Sequence, residues 1–318
     1  MNNNTAIYHW PNTLNGRNIE DCTVGVISLS APDAFNNPES FARGLNWLKS
    51  KGFKVKIGMH TCGQYDFLSA KPQQMLDDLY EMLEDNEVDL VFTSGGGTNS
   101  NSLLKLLDFD RINSASKPIM GLSNSSVLLN AITARTGLIT LHGPVIIWNM
   151  GAKEGLGTFS EKHMINVLQH SDKPIVMTPE DSWEWLQSGS CTGPLFGGNL
   201  WSIQQLLGTL YEPDWDGAIL FIEDCFCQLH QIHAILTHFD CAGILDRIAG
   251  LIVGIPMEVA EEDYDVDLSF NDIVVDVIGN RPIPILSGVR LGHTDEKITI
   301  PIGSSATLSS TDNQFIVV

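Results

Sequence analysis

Short apolar runs rich in β-branched residues alternate with amphipathic stretches through the first half of the sequence, and that alternation leaves few folds open. Residues 22–30 read as a buried strand. Residues 38–51 carry Phe41, Leu45 and Leu48 at helical spacing and stop at Gly52, and residues 53–57 make a second strand. A second amphipathic helix over 73–83 leads to a third strand at 88–93. A fourth, at 117–122, is followed at once by an apolar helix through Val127, Leu128, Leu129 and Ile132. Strands exchanged with helices predict an α/β fold with a parallel, helix-covered sheet, whose ligands sit beyond the carboxyl ends of its strands.

The pattern loosens between residues 153 and 192, where Pro, Ser, Gly and Trp interrupt it, and the domain junction is placed there. The expected units are an N-terminal α/β domain over 1–165, a linker or substrate loop over 166–191, and a C-terminal domain over 192–318. Strands at 217–222 and 248–255, a helix at 228–238 and short strands around Gly303 make the last unit α+β and richer in sheet. Two domains also suit a chain of 318 residues, which is long for one ordinary core.

Charge removes several classes of partner. Against 38 Asp and Glu stand 18 Lys and Arg, a net of −20, and such a surface repels phosphate backbones and anionic membranes. Neither nucleic acid nor a membrane is expected as a partner. The opening residues have no basic region and no apolar core of a secretory signal, and no apolar run is long enough to span a bilayer. Six cysteines are scattered without a framework spacing, so reduced thiols in the cytoplasm are the expectation.

Two loops carry chemistry. Ser94-Gly95-Gly96-Gly97-Thr98-Asn99-Ser100-Asn101 follows the third strand, and its glycines allow a backbone turn whose N–H groups face a ligand. It lacks the spacing and the position of a dinucleotide fingerprint. Gly121-Leu122-Ser123-Asn124 lies between the fourth strand and its helix, where a serine is either a plain helix N-cap or the nucleophile of an elbow. A nucleophile needs a base and a group to orient it. Glu223, ending an apolar strand, and His293, in a glycine-flanked turn, suit those roles in the order Ser, Glu, His, although each also suits an exposed strand end.

Cys225, Cys227, His230 and His233 are zinc-binding residue types, but their spacings are one residue short of the usual pairs, so no metal site is expected. Trp183 and Trp185 either stack on a flat ligand group or pack the domain interface.

Taken together, these residues resemble the serine peptidase family that includes the LD-carboxypeptidases and the microcin C self-immunity proteins. Gly96-Gly97-Thr98-Asn99-Ser100-Asn101 resembles its glycine loop as written in the immunity branch, and Gly121-Leu122-Ser123-Asn124 its elbow. Thr136-Gly137-Leu138 with His142-Gly143-Pro144, and Gly197-Gly198-Asn199-Leu200 with Leu207-Gly208-Thr209, are similar to two further stretches. The resemblance implies an N-terminal domain like that of class I glutamine amidotransferases and a smaller C-terminal β-rich domain, usually in a homodimer. It implies Ser123 as nucleophile, His293 as base, Glu223 as its orienting partner, and the N–H groups of Gly97 and Asn124 as oxyanion hole. No metal or cofactor is implied. Gly96, Asn199, Trp183 and Trp185 are the candidates for contact with a small-molecule or peptide substrate. The substrate the resemblance implies is an amide beside a free carboxylate or acidic group, either a murein tetrapeptide or an aminoacyl nucleotide. Three departures stand out: Asn124 replaces an aspartate, His142 a tyrosine, and His233-Ala234 an Asp-Arg pair. They leave open an inactive or re-purposed member that acts as a binding protein.

Overall fold

The computed structural model describes residues 7–12, 14, 17–169, 173–258 and 267–318. The first half runs β1 (Thr23–Ile27), α1 (Asp33–Asn36), α2 (Pro38–Ser50), β2 (Lys54–Ile57), α3 (Pro72–Glu84), β3 (Leu90–Thr93), α4 (Phe109–Ala115), β4 (Ile119–Gly121), α5 (Ser125–Thr136) and β5 (Thr140–His142). After α6 (Thr158–Leu168) come β6 (Ile175–Met177), β7 (Glu184–Gln187), β8 (Ser190–Asn199), α7 (Leu200–Ile203) and β9 (Ile219–Glu223). The rest is α8 (Leu229–Cys241), β10 (Gly250–Gly254), α9 (Phe270–Ile278), β11 (Ile285–Val289), β12 (Ile300–Ile302), β13 (Ser305–Ser309) and β14 (Gln314–Val317).

These strands form two sheets. The first has the order β12-β5-β4-β3-β1-β2, parallel from β5 to β2 and closed at one edge by antiparallel β12. The second has the order β6-β14-β13-β8-β9-β10-β11-β7. Its centre, β8 to β11, is parallel, with α8 and α9 as the connections, while the flanking strands pair antiparallel. The parallel sheet expected from the first half is present. The second half is mixed and rich in sheet, as its sequence pattern implies, and the centre of its sheet is built from strands crossed by helices.

Several elements depart from the sequence reading. The stretch over 153–192 contains α6, β6, β7 and the start of β8. It looked irregular because β6 and β7 are edge strands of three and four residues, and α6 buries one stripe through Met164, Val167 and Leu168. β5, β11 and α9 also escaped the reading.

α5 holds the two sheets together. Every residue from Ser125 to Thr133 is buried, as suits a helix covered on all sides. Polar groups on it are matched by groups of the second sheet. Asn130 accepts from the Gly197 N–H at 3.1 Å and donates to the Gly197 carbonyl at 2.7 Å, and the Asn199 N–H donates to Ser126 Oγ at 3.3 Å. Asn130→Ala would strand a backbone donor and an acceptor in the interior. A loss of about 2–4 kcal/mol is expected, read from urea denaturation midpoints at unchanged slope.

Candidate active site

Parallel strands of both sheets point their carboxyl ends at one region. Ser123 follows β4, the glycine loop follows β3, Glu223 ends β9 and His293 lies beyond β11. Ser123 has φ +61°, the left-handed region, which costs a residue with a Cβ about 1–2 kcal/mol. Such strain marks functional turns, because it aims a side chain out of the bend. The neighbourhood fixes it. A Cβ at Gly96 would stand 2.9 Å from Ser123 Cβ and 3.8 Å from the Asn124 nitrogen, so only glycine admits the loop this close. Gly97 has φ +136°, and the N–H groups of Gly97 and Asn124 have no partner among the described residues. The Gly96 N–H, by contrast, is taken by Asp33 Oδ2 at 3.0 Å.

The side chain of Asn124 is buried and serves as a hub. Its Oδ1 accepts from Ser30 Oγ at 2.8 Å and from the Ser100 N–H at 2.7 Å, and its Nδ2 donates to Ser202 Oγ at 3.4 Å. An amide therefore ties together the loop after β1, the glycine loop and α7. The acceptor is what the two loops require, and asparagine supplies it without a charge.

His293 Nδ1 bonds Glu223 Oε2 at 2.6 Å. Burial alone would push Glu223 up, but the charge and hydrogen bond of His293, with His142 and Lys297 nearby, hold its carboxyl below the ordinary range. For His293, burial works to lower the pKa, and Glu223 outweighs it, so the imidazole sits above its usual value. An ionised Glu223 can only accept, so Nδ1 carries the proton and Nε2 is left as the basic nitrogen.

Ser123 lies where two adjoining clefts meet. One, of about 420 Å³, is lined by Asp33, Trp148, Glu258, His293 and Asp295 beside Gly96, Gly97 and Ser123. The other, of about 350 Å³, is lined by Asn199, Trp201, Asp224 and Gln231. Phe226 stands between them, 69% exposed with φ +60°. No lysine or arginine lines either cleft among the described residues. The carboxylate expected on the substrate thus finds no side-chain cation there. Burial moreover pushes the carboxyls of Asp33 and Asp224 up.

Ser123, His293, Gly96, Gly97 and Asn199 are brought to these clefts, with Glu223 buried behind His293. Asn199 is largely committed already. It accepts from Ser202 N–H and Oγ at 3.1 and 2.7 Å and donates to Asp224 at 3.2 Å. Trp183 and Trp185 are not brought there. Both pack against the core, and Trp185, on edge strand β7, donates to Asn313 Oδ1 at 2.9 Å. Trp148, Phe226 and Asp33 were missed: Asp33 starts the short α1, Trp148 lies in a single helical turn over Ile146–Met150 and Phe226 in the loop after β9, and no spacing marks them. Cys225 and Cys227 flank the clefts, and Cys227 donates to Asp224, but no cluster arranged to hold a metal ion is found among the described residues.

The LD-carboxypeptidase N-terminal domain is matched over residues 24–143 and the LD-carboxypeptidase C-terminal domain over 192–308. With the fold, the two define a carboxypeptidase-type hydrolase. The chain is 29% identical over 295 residues to the probable murein peptide carboxypeptidase of Bacillus subtilis, covering 93% of this chain and 91% of that one. It is also 29% identical over 310 residues to the microcin C7 self-immunity protein MccF of Escherichia coli, covering 88% of each. The solved structure of MccF with aspartyl sulfamoyl adenosine superposes with a TM-score of 0.88 at 25% identity, over 97% of this chain and 98% of that one. This chain belongs to the LD-carboxypeptidase family.

Two measurements check the site. Ser123→Gly relieves the left-handed strain at some cost in backbone entropy, so a net gain of about 0.5–1 kcal/mol is expected by denaturation. In an NMR titration His293 should titrate above 6.5, and in Glu223→Gln below it, since burial then acts without the opposing carboxylate.

Proposed function

We propose that this chain hydrolyses a small amide through Ser123, His293 and Glu223. The observation that carries the reading is the 2.6 Å bond from His293 Nδ1 to Glu223, in a site whose serine is held in a left-handed turn on the same cleft. His293 Nε2 takes the Ser123 proton as Oγ attacks the carbonyl carbon. The resulting oxyanion is met by the N–H groups of Gly97 and Asn124. His293 then returns the proton to the leaving nitrogen, the C–N bond breaks, and an acyl-Ser123 ester remains. Water, deprotonated by the same imidazole, attacks the ester and releases the acid. Glu223 keeps the imidazole in one tautomer and stabilises its charged form without taking the proton.

The relatives' names offer two substrates, murein peptides and aminoacyl nucleotides. The Thr98-Asn99-Ser100-Asn101 loop resembles the immunity branch, and the exposed rings of Trp148 and Phe226 offer flat faces for a base. Both support an aminoacyl-nucleotide-like amide. The acidic lining supports one that brings an amino group and no additional carboxylate. The nucleophile after a parallel strand supports the glutamine amidotransferase-like scaffold. For a cytoplasmic homodimer and for domain limits at 1–165 and 192–318, the support is the family resemblance and the loosened pattern between them.

Product release by mass spectrometry tests this. Murein tetrapeptide and the aspartyl and lysyl sulfamoyl adenosines are offered side by side to wild type and Ser123→Ala. The lysyl compound should be cleaved fastest, and Ser123→Ala should lose about 10⁴-fold or more in kcat with its fold retained. Cleavage of none of them by folded wild type would overturn the reading.

A further inference from the structure

Glu223 has two oxygens, and the reaction described above uses only Oε2. Its Oε1 is buried and has no hydrogen-bond partner, although the residue is only 1% exposed. Facing it at 4.0 Å is Nε2 of His142, a fully buried side chain neither of whose ring nitrogens has a partner. Two unsatisfied polar groups of complementary character, sealed together, are costly apart and stabilising together. We propose that His142 is a positioning residue of the site: its Nε2–H is the donor for Glu223 Oε1, so that the carboxylate is clamped between two imidazoles, one fixed and one catalytic.

The surroundings of His142 leave its ring little freedom. The residue lies on β5, paired with Gly121 of β4 on one side and Ile300 of β12 on the other. Its ring meets the edge of Phe221, two residues before Glu223 on β9, at 5.4 Å between centroids. It also packs over Gly198, where a Cβ would stand 3.4 Å from His142 Cδ2. Closing the 4.0 Å gap to hydrogen-bond length takes about 1 Å of movement, which rotation of the Glu223 carboxylate about its broad terminal torsion can supply while the ring stays in place.

A neutral donor suits this place. Burial, acting against Glu223, lowers His142 to about 4, so the ring is uncharged near neutrality. The charged groups facing it are Glu223 from β9, His293 from the turn after β11 and Lys297 from the segment before β12. Lys297 Nζ is buried and unpartnered as well, but it forms no ion pair with Glu223 within 4.0 Å among the described residues. A cation bonded at Oε1 would compete with His293 for the negative charge that must stabilise its imidazolium. A neutral N–H orients the carboxylate and leaves that charge to His293.

This inference rests on the Ser123, His293 and Glu223 reading, and its test includes a readout independent of turnover. In ¹⁵N-labelled full-length protein at neutral pH, the imidazole spectra should show His142 as the Nε2–H tautomer, assigned by loss of its signals in His142→Gln. The Nδ1–H tautomer, with Nε2 unprotonated, would overturn the proposal whatever the activity. In kinetics with whichever amide wild type cleaves, His142→Phe should lower kcat about 10–100-fold with KM little changed, and His142→Gln, which keeps a donor, should recover most of it. Wild-type kcat in a folded His142→Phe would likewise overturn the proposal. If that variant does not fold, the wild-type tautomer decides alone. An inactive wild type with the Nε2–H tautomer would sink the hydrolytic function and leave the clamp standing.

Discussion

A carboxylate sealed away from water at the meeting of two sheets is the constraint around which this molecule is arranged. Removing Glu223 from solvent carries a penalty of several kcal/mol unless opposite charge and hydrogen bonds offset it. His293 supplies both, with His142 and Lys297 as more distant contributions. Each of these groups comes from a different part of the chain: β9, the turn after β11, β5 and the approach to β12. A buried charge of this kind is stable only when all the elements that surround it are in place. The site and the fold therefore share their most demanding interaction.

Much of the first half was legible because its physics is local. β1, β3 and β4 are apolar runs bounded by turns, β2 alternates lysine with valine and isoleucine, and α2 and α3 carry clean apolar stripes. α5 was legible for the opposite reason, since it is apolar enough to be buried on every side. What escaped was decided by tertiary pairing. β5 is three residues long and needs β4 and β12 to be a strand at all, and β7 exists because β11 offers an edge. The candidate residues followed the same division. Ser123, Glu223 and His293 stand at strand ends and tight turns, which a sequence reveals. Trp148 and Phe226 face the clefts only because distant loops converge, and no spacing announces that. Trp183 and Trp185 have the composition of a binding loop, but their indoles pack against the core.

The two clefts show how a site can be specified by what it omits. A surface with net charge −20 has carboxylates to spare, so acids near the serine are unsurprising. The lack of any lysine or arginine among the described lining residues is more telling, because a hydrolase selecting a second carboxylate would gain most from a cation there. Asn124 fits the same economy of charge. Its side chain accepts from Ser30 and Ser100 next to Ser123 without adding a negative charge there.

β12 ties the history of the chain to its chemistry. This three-residue strand leaves the second half, lies antiparallel on β5 of the first sheet, and hands the chain back to the second sheet at Gly303 and Ser304, both bonded to Leu195. It begins only seven residues after His293. In chain order the serine turn comes long before the imidazole it shares a cleft with. The β5 edge of the first sheet likewise has no strand to cover it until β12. β12 and His293 both follow the serine turn by about 170 residues, so one late segment of the chain closes that sheet edge and sets the imidazole against Glu223.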